Sequence, residues 1–236
     1  MPALILLAII TAYDWASREG AASAKDVTSG TETRIIHIRD WHIVPKDHFA
    51  IDTGLKGKEL EEAYAEHLQA VERVQKSQFE ILAGVKEVFG EGLTDENYPI
   101  FKAEIRTLRP FHRELASFDP AAGEDTKQIF QEHRLTLLRI GAAGQLMLDE
   151  KLTVLPCEGE AYENRPINNG KLVLDQKVIE AREDAIVRNL IKSGGDCVLV
   201  LGGAHDLSDN IRRLPIKKAT FLIGTLSSAL RTTRFG

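Results

Sequence analysis

Two cysteines in 236 residues exclude a disulfide framework and a thiolate metal knuckle. Charge of one sign is also missing. Thirty Lys and Arg against thirty-five Asp and Glu leave a net −5 with no long block of either sign, so the electrostatic footprint of a nucleic-acid binder is absent. Several signature strings are lacking too: no G-x-S-x-G elbow, no H-E-x-x-H pair, no P-loop and no G-x-G-x-x-G. The mechanisms those strings serve have no support in this chain. Long hydrophobic runs are scarce. The most apolar, Ala3 to Ala12 in "MPALILLAIITAYDWASREGAASA", is about the length of a signal-peptide core and short of the roughly 20 residues that span a bilayer.

That first segment supports two readings. "AASA" (Ala21 to Ala24) offers a small-residue cleavage site, which makes residues 1–24 a signal peptide and the protein exported. No Lys or Arg precedes the apolar run, however, and Asp14, Arg18 and Glu19 stand before the alanines. The other reading is an N-terminal helix of a cytoplasmic protein. The expected layout is a leader or helix with linker over 1–33, one α/β domain over 34–226 and a tail over 227–236.

What the chain does have is ordinary globular material, 43% hydrophobic and 28% charged, arranged as alternating elements. "RIIHIRDWH" (34–42) is a β-branched run. Residues 60–88 carry Tyr64, Leu68, Val71, Val74, Ile81 and Val85 at helical spacing. "EVFGEG" (87–92) is a short strand. Pro99, Pro110 and Pro120 predict short helices and loops over 94–122. Helix returns over 125–150, strand over 151–160 and helix over 175–195, the last stopped by paired glycines. "CVLVLGGAH" is the next strand, "DNIRRL" a short helix, and 218–226 a final edge strand. Apolar strands alternating with helices predict an α/β fold, a mostly parallel sheet flanked by helices. Cys157 would follow one strand and Cys197 begin another, about 15 Å apart at opposite ends of the sheet and too far for a disulfide.

Parallel α/β sheets bind ligands at the carboxyl ends of their strands. "IIHIRDWH" and "VLVLGGAH" place His42 and His205 alike, and "VFGEG" and "VLPCEG" end on Glu91 and Glu158. The pattern suggests two pseudo-symmetric halves, with four side chains gathered on one rim. Two imidazoles and two carboxylates suit a divalent zinc, manganese or iron ion that activates water. His42, Glu91 and His205 are the expected catalytic groups, and the same three with Glu158 the expected metal ligands. Asp40 and Asp206 would orient the histidines, Gly202 and Gly203 would clear room for a ligand, and Arg182 could reach the rim. Glu158 is the less secure carboxylate, since "CEGEAYE" continues with acids that face water. His37 is expected in the core; His48, His67, His112 and His133 are expected at the surface.

With those residues in view, the chain resembles the superfamily of Tiki and TraB/PrgY-type proteins, ChaN-like haem-binding lipoproteins and erythromycin-esterase-like proteins. "RDWHIVP" (39–45) is similar to the G-T-x-H-V-P segment of Tiki/TraB members, with Arg39 where they carry glycine. Glu91 matches their acid after the second strand, "GGAH" their G-x-x-H motif, and Arg182 an arginine on the helix before it. The resemblance implies a metal-dependent hydrolase, of peptides or of a small-molecule ester. Its alternative is a non-catalytic protein that captures haem, metal or a peptide, with Tyr98 or Tyr162 as an axial haem ligand. The oligomeric state is left open.

Overall fold

A computed structural model describes residues 33–117, 119, 123–163, 167–168, 171–172, 175–203, 205–213 and 219–223. The leader of residues 1–24, most of the linker and the tail of residues 227–236 lie outside the described residues. The chain divides into two compact units, Met1–Gly30 with Val44–Ala65, and Thr31–Ile43 with Glu66–Gly236. In the described part of the first, helix α1 (Lys46–Thr53) ends at Gly54, whose φ of 70° closes the turn. There Phe49 meets Tyr64 edge to face at 5.6 Å and Lys46 pairs with Glu61 at 2.5 Å.

The second unit is α/β. Its strands β1 (Thr33–Asp40), β2 (Glu87–Gly90), β3 (Thr153–Pro156), β6 (Asp196–Gly202) and β7 (Ala219–Ile223) form one sheet in the order β3-β2-β6-β1-β7. Every pairing in it is parallel. β4 (Ile167–Asn168) and β5 (Lys171–Leu172) make a separate antiparallel pair. The two histidine-ending strands, β1 and β6, are neighbours, and β6 also touches the glutamate-ending β2. The strands of the two suggested halves therefore interleave within one sheet.

Alternation divides the strand side chains between two faces. On one, Ile35, Cys197, Leu199 and Leu201 pack against Ile186, Val187 and Leu190 of α6 (Gln176–Ser193). On the other, Ile38, Val88, Val154 and Val200 pack against Leu82 of α2 (Gly57–Leu82) and Ala142, Ala143 and Leu146 of α4 (Glu124–Leu148). α6 begins where the Asp175 side chain accepts from the Val178 amide and stops at Gly194, φ 73°. A four-residue α5 (Glu160–Glu163) and a short α7 (Ser208–Arg213) complete the helices described. Both cysteines are buried and free. Cys157 donates to the Gly90 carbonyl beyond the end of β3, and Cys197 to Leu190 at the start of β6.

The proline-rich stretch differs from expectation. It forms a single helix, α3 (Tyr98–Leu115), with Pro99 in the first turn and Pro110 inside. A first-turn proline gives up no hydrogen bond, because that N–H has no helical partner. The interior proline is carried by tertiary anchoring. Ile105 and Leu115 are buried, and Arg109 donates to the Leu148 and Met147 carbonyls at the end of α4. Two histidines expected at the surface, His67 and His133, are buried.

Candidate functional site

Each rim group projects from the carboxyl end of a strand or from the helix beside it. Glu91 follows β2 and is the hub. Its Oε2 accepts from the Gly202 amide at 2.6 Å and lies 2.7 Å from His42 Nε2. Its Oε1 accepts from Arg182 Nη2 at 2.9 Å and lies 3.7 Å from His205 Nε2. The two histidines thus converge on one carboxylate, as the parallel pairing of β1 and β6 requires. Gly202 sits between them: a Cβ there would lie 3.2 Å from Glu91 Oε2 and 3.6 Å from both His42 Nε2 and His205 Cδ2. Glycine is needed here for close approach.

Each imidazole has a second carboxylate at its other nitrogen. Asp40 Oδ2 stands 3.3 Å from His42 Nδ1, and Glu183 Oε1 stands 2.7 Å from His205 Nδ1. Glu183 is the residue sequence reasoning missed. It adjoins Arg182 in "EARED", where an acid on an amphipathic helix reads as a solvated face, yet it is buried. The role expected for Asp206 falls to it. Asp206 is exposed and its carboxylate accepts from the Ser208 amide at the entry to α7, while His205 Nδ1 meets Glu183. That bond from Ser208 holds its carboxyl below the usual range.

Arg182 lies across the rim from α6. Its guanidinium donates to Glu91 and, through Nε and Nη2, to both oxygens of Glu158, with the Tyr162 ring 5.2 Å away. Glu158, expected as the less secure of the two rim carboxylates, is buried, and it also accepts from the Gly92 amide at 3.2 Å. Gly203 donates to the Asp40 carbonyl at 3.0 Å and so ties the ends of β6 and β1 together. His37 is in the core, as expected, beside the Leu201 carbonyl at 3.1 Å, and burial pushes its imidazole pKa down.

The electrostatics follow from this packing. Burial pushes the Glu91 carboxyl up, but the two imidazoles and Arg182 outweigh it and hold Glu91 far below the carboxylate range. The bond to Glu91, against the cost of burial, raises His42 above its ordinary 6.5. Glu183 first and Glu91 second raise His205 to about 9. At His205 Nε2 two contacts compete, since Arg182 Nη1 at 3.3 Å calls for a lone pair and Glu91 at 3.7 Å for a proton. The shorter Nδ1 bond to Glu183 fixes the tautomer, which makes Nε2 the nitrogen that gains and loses the proton.

No protein-family model, curated protein or solved structure matches the chain.

The residues themselves test the expected cofactors. Glu158 has both oxygens on Arg182, and Glu91 holds the same guanidinium. A permanent cation therefore already bridges two of the four expected ligands, and a divalent ion beside it would meet like charge. Among the described residues no group of three His, Cys, Asp or Glu is set to hold a metal. The four-ligand arrangement does not fit this site. Haem capture calls for an apolar groove beside an axial ligand. Tyr162 instead lies against Arg182, and Tyr98 lies under Lys102 at 4.4 Å.

Proposed function

We propose that the protein is a hydrolase of ester or peptide bonds that activates water with His42 and needs no bound metal. One observation carries the reading. His42, its side chain 54% exposed, is the open end of a cluster whose other charged groups, Asp40, Glu91, Arg182, Glu183, Glu158 and His205, are each at most 17% exposed. Nε2 donates to Glu91, which leaves Nδ1, the looser of the two contacts, as the nitrogen that exchanges its proton; Asp40 at 3.3 Å favours the charged ring, so the base acts once Nδ1 has given that proton up. When a substrate carbonyl arrives, Nδ1 takes a proton from water, and the hydroxide bonds to the carbonyl carbon. Asp40 steadies the imidazolium that forms. Negative charge developing on the carbonyl oxygen is met by the His205 imidazolium, which is charged at neutral pH. As the bond to the leaving group breaks, His205 Nε2 supplies its proton. Arg182, neutralised by two carboxylates, holds Glu91 in place.

The resemblance to esterase-like and Tiki-like proteins supports the same bond classes. Among the described residues no helix is long and apolar enough to cross a membrane, and the substrate is a small molecule or peptide able to reach the rim. The test is a panel of activated esters and short peptides assayed with wild type and His42→Gln after chelator treatment. Removing a positioned general base costs roughly 10²- to 10⁴-fold. Wild-type turnover lost in His42→Gln supports the reading, and equal turnover in both proteins, or none in wild type until a metal is added, refutes it.

A further inference from the structure

Helix α4 is broken next to the site. Gly141 has φ 71° and ψ 174°, a region open essentially to glycine alone. In an unbroken helix the Leu138 carbonyl would accept from the amide of residue 142, a bond that spans Gly141. Side chains reach Leu138 and the Leu137 carbonyl beside it. Gln145 Nε2 donates to Leu137 at 2.9 Å, and Gln75 Nε2 donates to Leu138 at 2.8 Å. Gln145 also donates to Gln75 Oε1 at 2.9 Å, which closes a three-sided bracket around the break. Gln75 and Gln78 are buried on α2 among Leu68, Val71 and Leu82, where His67 is the other buried polar residue.

The break faces Asp40. A Cβ on Gly141 would lie 3.8 Å from Asp40 Oδ2, the oxygen that faces His42. Gln78, one helical turn from Gln75, donates through one nitrogen to Asp40 Oδ1 at 2.8 Å and to the Arg39 carbonyl at 2.9 Å. One buried amide thus fixes both the backbone of β1's last turn and the carboxylate that leaves it. Burying a primary amide costs energy unless it is bonded, and nothing in a plain helix–sheet core calls for two.

We infer that the Gly141 break and Gln78 form a positioning device that holds Asp40 against His42 Nδ1. The inference rests on the reading of His42 as the base, and Gln78 and Gly141 act only through Asp40. The break brings Gly141 within contact distance of Asp40 Oδ2. Gln78 holds Oδ1, which leaves Oδ2 for His42.

The test reads His42 directly and needs no substrate. In isotope-labelled protein at one fixed pH, the ¹⁵N signals of the His42 ring are compared in wild type, Asp40→Asn, Gln78→Met and Gly141→Ala. The expected result is that Gln78→Met and Gly141→Ala each move the Nδ1 signal at least half as far as Asp40→Asn does, with the His205 signals unmoved. A merely structural role would lower stability and leave His42 as it is. A wild-type His42 signal in either folded variant overturns the inference, and if Gln78→Met does not fold, Gly141→Ala decides alone. Displaced His42 signals in a protein that hydrolyses nothing would uphold the device and remove the hydrolase.

Discussion

Arg182 closes on Glu158 from two sides, with Nε 3.0 Å and 3.1 Å from its carboxylate oxygens and Nη2 on Oε1 as well. The Glu158 side chain has no exposure left. A buried ion pair loses heavily when one partner is cut away, because the remaining charge stays desolvated. Arg182→Ala should therefore destabilise by about 3–5 kcal/mol, since it strands the buried Glu158 while Glu91 keeps its histidines and the Gly202 amide. Arg182→Lys keeps the charge but not the fork, and should fall between the two proteins in urea-denaturation midpoint.

His205 should make the fold sensitive to alkali. Its pKa rises from 6.5 to about 9 on folding, so the folded state binds its proton more tightly. That contribution is complete below pH 6.5 and is lost as pH rises through 9. The difference is on the order of 3 kcal/mol at most. Denaturation at pH 6 and pH 9.5 should show the loss in wild type and a much smaller one in His205→Gln.

Gly202→Ala should disturb the site more than the fold. The added Cβ would crowd Glu91 Oε2 at 3.2 Å, and only a shift of that carboxylate relieves it. A stability loss of about 1–3 kcal/mol is expected from overpacking, together with a fall in the His42 pKa as its bond to Glu91 lengthens. An NMR titration of His42 measures the second effect, and an unchanged midpoint would mean that Gly202 has slack to spare.

Much of this arrangement is legible in the sequence because strand endings are. The runs before Arg39 and Gly202 are apolar enough to be buried on both faces, and parallel pairing then brings His42, Glu91 and His205 to one rim without further information. What is not legible depends on rotation about a helix axis or on contacts distant in sequence. Arg182 and Glu183 are successive on α6, and only their placement against the sheet turns both inward. Gln78 and Gly141 carry a local signal, a polar residue in an apolar stripe and a glycine inside a helical pattern, but what each holds is set by β1, a hundred residues from Gly141. The same limit applies to α3, where prolines that argue against a helix are outweighed by anchoring through Arg109.

The proposed hydrolase depends on two imidazoles held by carboxylates and working without a metal. The most direct measurement is kcat/KM against pH, from 5.5 to about 10, for wild type and Glu183→Gln in the presence of chelator. The prediction is a bell-shaped wild-type profile that falls as His205 loses its proton near pH 9, and an alkaline limb displaced at least about one unit downward in Glu183→Gln. An alkaline limb that stays in place without Glu183, or a wild-type rate that vanishes with chelator and returns with a divalent ion, would contradict it.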